Sequence, residues 1–306
     1  MIEQTVQLKT NISEFDNVLP FCVENLRAGK PVTLLTLINI EGKSPRPLGS
    51  QIAVTPDRRR VGMITGGCAE EALVKHAMLQ FNFPAEHRQT ILRLGADSPW
   101  VDIRLPCGAG IDVHFSVVES AEVFDQALAR TAAREPCSLE LELSTERWTL
   151  ASEIAATGLR DEETFVRRWD PQTRILIVGE GHYADALDRL AIAADYDTER
   201  CGTSAPDSEL LDSYTAVVLL THDHDNEPAI FESVLQSDCF YVGALGSRDT
   251  HRKRAERLTK SGISQNDIAR IHGPIGLPIQ AKSPHEIAVS ILAEITKKKR
   301  QQFPNG

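Results

Sequence analysis

The sequence predicts an α/β protein in two parts, a mixed α+β first half and a second half built on a parallel sheet covered by helices on both faces. Three observations carry that prediction. At 306 residues the chain is longer than one ordinary domain needs. Its composition, 42% hydrophobic and 25% charged, belongs to a folded globular protein rather than a disordered or disulfide-dominated one. From Pro171 onward, short runs of branched apolar residues alternate with helical patterns, as strands joined by crossover helices do. The expected division is residues 1–171 and 172–306.

In the first half, Glu14 to Gly29 reads as an amphipathic helix and Val32 to Ile40 (VTLLTLINI) as a strand. The Gly, Pro and Ser of residues 41–50 mark a loop, and two short strands, Gln51 to Thr55 and Arg60 to Ile64, flank the Pro56-Asp57 turn. Gly66-Gly67-Cys68 opens a helix carrying Ala69, Ala72, Leu73 and Ala77. Strands return between Thr90 and Glu119, around a second glycine loop at Pro106 to Gly110. A helix near Ala121 to Arg134 and the alternating segments SLELELS and RWTLAS complete this half.

In the second half, Arg174 to Val178 (RILIV) reads as a buried strand running into Gly179-Glu180-Gly181, followed by a helix with Leu187, Leu190, Ala191 and Ala194 on one face. A polar strand, YDTERCG, comes next, then AVVLL at 216–220, a helix near Glu227 to Gln236 and CFYV at 239–242. Helices near Ser247 to Lys260 and Pro284 to Lys298 follow. Ser283-Pro284-His285-Glu286 is a capping box with proline at the first helical position. The alternation is that of a Rossmann-like domain.

Charge and cysteine usage narrow the function. With 33 basic and 43 acidic residues the net charge is −10, which disfavours sequence-independent binding to nucleic acid or anionic membrane, so an anionic ligand must meet a local site. No run approaches 18 apolar residues, and the first twenty residues lack a basic start followed by an apolar core. Neither a spanning helix nor a secretory signal is expected, and the cytoplasm is the expected compartment. The six cysteines, at 22, 68, 107, 137, 201 and 239, form no CxxC pair. Cys68 and Cys107 sit in glycine turns, where a thiol is a poorer core filler, and Cys68 lies at a helix start, where the dipole favours thiolate. The other four lie in or beside apolar patterns.

Gly179-x-Gly181-x-x-Ala184 has the strand before it and the helix after it that a phosphate-binding turn requires, because glycines let backbone N–H groups approach a phosphate. An acidic residue should follow about twenty positions on to hold a ribose hydroxyl, but that strand ends at Cys201-Gly202, with Glu199 at the nominal spacing. A phosphate ligand, a turn kept for helix packing and ordinary NAD(P) use all remain open. Thr221-His222-Asp223-His224-Asp225 lies at the carboxyl edge of the sheet, where a metal, a ligand contact or a helix cap would each use such residues. Ser247-Arg248 is a capped helix start with an arginine, an anion site by the same logic, and the rest of that basic helix reads as a solvated face. The Gly273-Pro274-Ile275-Gly276-Leu277-Pro278 loop ends beside the same sheet edge without an evident structural reason.

Seven ordered blocks carry a resemblance that covers nearly the whole chain: EGKSPRPLGSQIAV at 41–54, GMITGGCAEEA at 62–72, LPCGAGIDV at 105–113, ILIVGEGHYADAL at 175–187, VVLLTHDHD at 217–225, YVGALGSRDTHRKRAERL at 241–258 and IHGPIGLPIQAKSPHEIAVSILAEI at 271–295. The sequence resembles the xanthine dehydrogenase accessory-factor family, XdhC/CoxI type. That resemblance implies an accessory factor rather than an enzyme: a chaperone that holds molybdenum cofactor, presents it to a cysteine desulfurase for sulfuration and inserts it into an apo-molybdoenzyme of the xanthine dehydrogenase class. The cofactor is molybdopterin or its dinucleotide form, and a homo-oligomer, a dimer, is expected. Gly179, Gly181, His182, His222, Asp223, Ser247 and Arg248 would hold it from the second domain, with the phosphate on Gly179, Gly181, Ser247 and Arg248. Ser44, Arg46, Cys68 and Cys107 would face the pterin and dithiolene across a domain crevice.

Two departures from the family pattern stand out. The family's second strand usually ends in an Asp, where this chain has Gly202, and its second cysteine is often followed by Gly-Gly, where Cys107 is followed by Gly108-Ala109. The first leaves conventional dinucleotide binding without a ribose anchor, so weak NAD(H) and NADP(H) binding is expected. Two rival readings remain from the residues themselves: an NAD(P)-dependent oxidoreductase with His222 or His224 as proton donor, and a sulfur-transfer protein with a persulfide on Cys68.

Overall fold

The computed structural model describes residues 18–44, 46–88, 90–95, 110–221 and 226–303. The chain divides into two compact units, one running to Asp170 and the other from Pro171.

The first unit is mixed α+β. Helix α1 (Val18–Arg27) precedes strands β1 (Val32–Glu41), β2 (Gln51–Val54) and β3 (Arg60–Gly62), then helix α2 (Glu70–Gln80) and strands β4 (Ile91–Leu94) and β5 (Gly110–Val118). These five strands form an antiparallel sheet in the order β3-β2-β1-β5-β4. Helix α3 (Glu122–Ala132) leads to a second antiparallel sheet of β6 (Cys137–Glu142), β7 (Arg147–Leu150), β8 (Gly158–Leu159) and β9 (Thr164–Trp169), ordered β7-β6-β9-β8. One apolar cluster joins α1 and α3 to both sheets through Leu34, Phe124, Leu139 and Phe165; a second packs α2 on the other face of the first sheet through Leu35, Leu73 and Phe115.

β9 is the longest of the strands that sequence patterning passes over, because its run TFVRRW carries two arginines. Cross-strand pairing with β6 supplies what its own composition lacks, and the Arg167 guanidinium lies 4.5 Å from the Trp169 ring centroid, so the charge is carried over an aromatic face.

His114 on β5 is fully buried, and its Nε2 donates to the Leu143 carbonyl at 3.0 Å. Burial lowers its pKa to about 4, outweighing the opposing effect of that hydrogen bond. The folded state therefore holds a neutral imidazole where the unfolded chain, with a His pKa near 6.5, takes up a proton. The stabilisation is complete above the unfolded pKa and is lost as pH falls toward the folded one. Between pH 7 and pH 5 the protein should lose about 2 kcal/mol from this residue. Urea unfolding of His114→Gln over that interval should give a flatter profile; an unchanged slope would contradict the assignment.

The second unit is a doubly wound parallel sheet. Strand β10 (Arg174–Val178), helix α4 (His182–Ala193), β11 (Asp197–Arg200), β12 (Thr215–Leu219), α5 (Glu227–Leu235), β13 (Tyr241–Ala244), α6 (Arg248–Lys260), α7 (Gln265–Ile268), β14 (Ile271–His272) and α8 (Pro284–Gln302) follow in turn. The sheet order is β11-β10-β12-β13-β14, every pair parallel. α4 and α8 pack on one face through Leu187 and Ile291, and α5 to α7 on the other through Phe231, Leu258 and Ile268. The chain winds outward in opposite directions from β10 and β12, which makes their carboxyl ends the switch point where such sheets bind ligands.

α8 begins at the capping box read from the sequence, Ser283 with Glu286. The glycine-proline loop after β14 has a structural role. Glu294 accepts from the Tyr241 hydroxyl at 2.6 Å, the Gly276 amide at 2.8 Å and His272 Nδ1 at 3.2 Å, tying α8 to the sheet edge and the loop. Burial alone would raise the Glu294 pKa, but those donors outweigh it and hold the carboxyl at about 2.

Candidate functional site

At the switch point, β10 runs into Gly179-Glu180-Gly181 and α4 starts at His182. A Cβ on Gly179 would lie 2.7 Å from the Leu220 carbonyl carbon, so this glycine lets the turn close against the end of β12. Gly181 differs. It adopts φ 84° and ψ −167°, a region essentially confined to glycine, and a Cβ there would meet no atom of the described residues beyond the turn and helix within 4 Å. The first intrahelical bond of α4 runs from the Asp185 amide to the Gly181 carbonyl, leaving the His182, Tyr183 and Ala184 amides without an intrahelical acceptor. Open space before free amides at the positive end of a helix suits an anion.

The surroundings of this turn are charged. Arg200, the last residue of β11, donates to Asp185 at 3.1 Å and to the Gly179 carbonyl at 3.4 Å. The Gly179 amide donates to the Gly202 carbonyl at 2.5 Å, and Glu180 Oε1 stands 3.8 Å from where a Cβ on Gly202 would be. Glu180 and His182 are both exposed.

Ser247 caps α6, its hydroxyl oxygen accepting from the Thr250 amide at 3.2 Å, and Arg248 is exposed. β12 lies between β10 and β13. The starts of α4 and α6 therefore do not follow adjacent strands. Nor is the basic face of α6 wholly solvated. Arg254 is 1% exposed and donates to both Glu227 oxygens, at 3.2 and 2.8 Å, and to the Leu245 carbonyl at 2.9 Å. Arg257 adds a third bond to Glu227 at 2.9 Å, tying the first turn of α5 to α6. His222 and Asp223, with His224 and Asp225, lie outside the described residues.

In the first unit, β1 ends, β2 begins and β3 ends at one end of the sheet. The 42–50 and 63–69 connections both leave there, which brings the turns of Ser44, Arg46 and Cys68 to the same sheet end. β4 ends and β5 begins at that end too, while Cys107 lies outside the described residues. Ser44 Oγ accepts from the Arg46 amide at 3.3 Å. The Cys68 turn is organised by Glu70, whose carboxylate accepts from the amides of Ile64, Thr65 and Gly67 at 3.2, 2.6 and 2.8 Å and from the Thr65 hydroxyl at 2.5 Å. Burial opposes ionisation of Glu70, but the Thr65 hydroxyl and the neighbouring amides hold its pKa below the ordinary value. Cys68 is exposed, whereas Cys22, Cys137 and Cys239 are buried; burial pushes Cys22 up to about 12 and Cys137 to about 11. Among the described residues no cluster of three or more His, Cys, Asp or Glu suits a metal ion.

Residues 175–295 match the XdhC Rossmann domain, and residues 25–93 match the XdhC and CoxI family. The chain is 34% identical, over 93% of its length and 89% of the other's, to the molybdenum cofactor insertion chaperone PaoD of Escherichia coli (strain K12). The chain belongs to the XdhC and CoxI family. It is also 22% identical to a probable xanthine dehydrogenase subunit of Bacillus subtilis (strain 168), over 88% of this chain and 93% of that one. A crystal structure of a xanthine dehydrogenase from Bacillus halodurans shares the fold, with a TM-score of 0.70, 21% identity, and coverage of 92% of this chain and 96% of that one.

Sequence reading passes over Glu70, Glu180, Glu227 and Arg254. Glu70 carries a faint signal, a carboxylate following Thr65 and two glycines at a helix start. Glu180 carries none, because it occupies a position of the glycine motif open to any residue. Glu227 and Arg254 stand 27 residues apart and meet only through the tertiary fold.

Proposed function

We propose that this chain binds a molybdenum cofactor, molybdopterin or its dinucleotide form, and delivers it to an apo-molybdoenzyme of the xanthine dehydrogenase class. The observation that carries this reading is the 34% identity to a molybdenum cofactor insertion chaperone across both units. The Gly181 turn fits the anionic end of such a cargo, because open space, free α4 amides and the helix dipole meet there. In this reading the chain is a cytoplasmic, homo-oligomeric accessory factor, and a cysteine desulfurase sulfurates the cofactor while the chain holds it. Cys68, an exposed thiol on a turn fixed by Glu70, takes part in that sulfur chemistry.

Loading the purified chain with molybdopterin, desalting it and oxidising the bound fraction gives a fluorescent pterin that reports retention. The parent chain should retain pterin under conditions where a molybdoenzyme does, and a chain that retains none would refute the reading. Cys68→Ala should retain pterin yet activate the client enzyme less at equal bound cofactor. Equal activation would remove Cys68 from the reaction.

A further inference from the structure

We propose that a cavity in the first unit is a binding site for an organic cation, a ligand presenting an ammonium or guanidinium group. The cavity, of about 450 Å³, opens between the end of β5, the first turn of α3 and β7. That volume lies in the range of small-molecule sites, about 300–1,000 Å³. The cavity stands at the end of the β1–β5 pair where Val32 faces Val118, whereas the turns of Ser44, Arg46 and Cys68 leave from the end where Glu41 faces Gly110. The inference therefore does not rest on the carrier reading.

Glu146 carries the argument. It lines the cavity, and its side chain is only 9% exposed. Both contacts that hold it are made by Oε2, which accepts from the Val117 amide at 2.8 Å and lies 3.6 Å from Arg88 Nη1. Oε1 has no hydrogen-bond partner among the described residues, yet it is not sealed off, so the open side of this carboxylate is the side that meets the cavity. A nearly buried carboxylate oxygen without a donor carries a desolvation cost that a bound N–H group removes.

The rest of the lining matches a cation. Glu119 and Glu122 are exposed at the rim, and neither side chain has a partner among the described residues. Arg147 is the only cation among the lining residues, against these three carboxylates. Phe124 and Trp148 give the cavity an aromatic wall, with ring centroids 5.8 Å apart, and the Trp148 indole is fixed by donating to Ser116 Oγ at 3.0 Å. A cation over such a ring gains from its quadrupole, while its N–H groups supply the donors that Glu146 lacks. Among the described residues no group of three or more His, Cys, Asp or Glu suits a metal ion, so donors spread over an organic group fit these carboxylates better than a metal does.

The test is calorimetric titration of the full chain with acetyl-arginine amide and acetyl-lysine amide, beside acetyl-citrulline amide as the neutral isostere. The tighter cation should bind about tenfold or more tighter than the citrulline probe, the scale of one hydrogen bond to a charged group. Agmatine and a pentapeptide with a central arginine separate two sources of the group, a free small amine and a side chain of a partner protein. In Glu146→Gln, which keeps an acceptor for the Val117 amide, the preference over citrulline should fall to within about twofold. Glu146 is largely buried, so the exposed double variant Glu119→Lys with Glu122→Lys gives a second reading. It should weaken cation binding about tenfold in a protein whose circular dichroism matches the parent. No binding of any cationic probe up to millimolar concentration, equal binding of the citrulline probe, or a preference that survives both variants would overturn the inference.

Discussion

Gly181→Val should abolish pterin retention while leaving a folded protein. The backbone at Gly181 sits where only glycine is comfortable, and a β-branched residue there costs on the order of 1–3 kcal/mol. A typical domain, stable by about 5–15 kcal/mol, survives that loss. Its Cβ meets no atom of the described residues beyond the turn and helix within 4 Å, so it occupies the space proposed for the ligand rather than the core. Gly179→Ala is the contrasting variant. Its Cβ would lie 2.7 Å from the Leu220 backbone, so it should lower stability directly. Thermal unfolding beside pterin retention separates the two effects, and retention by Gly181→Val at the parent level would remove the phosphate from this turn.

Glu227→Ala should destabilise the chain by about 3–5 kcal/mol, the range for breaking a buried ion pair and leaving its partner charged. The carboxylate is 1% exposed and accepts three N–H bonds from Arg254 and Arg257. Without it the fully buried Arg254 keeps only the Leu245 carbonyl as a described hydrogen-bond acceptor. The double variant Glu227→Leu with Arg254→Leu should recover much of the loss, because an apolar pair replaces a stranded charge. Urea unfolding measures both, and a single-variant cost under about 1 kcal/mol would show that the pair is not the anchor of α5 on α6.

The parts of this fold legible in the sequence are those encoded locally. RILIV running into Gly179-Glu180-Gly181 announces a buried strand, a turn and a helix, and the Ser283-Glu286 box announces α8. The α/β class with its Rossmann-like second half follows from such local signals and their alternation. What escapes is set by contacts between distant residues. β9 is a strand because β6 pairs with it, Arg254 is buried because Glu227 awaits it, and the starts of α4 and α6 do not follow adjacent strands because β12 enters the sheet between β10 and β13. Of the candidate site, Gly179 and Gly181 are readable from spacing alone. Glu180 is not, since its relation to Gly202 exists only once β11 lies beside β10.

The most direct measurement of the carrier role is transfer. A xanthine dehydrogenase-class apoenzyme is mixed either with the cofactor-loaded chain or with the same amount of free cofactor, and its activity is followed with time. The account predicts faster and more complete activation from the loaded chain, with pterin leaving the chain as activity appears. Activation no better than that from free cofactor, with pterin still bound to the chain, would contradict it.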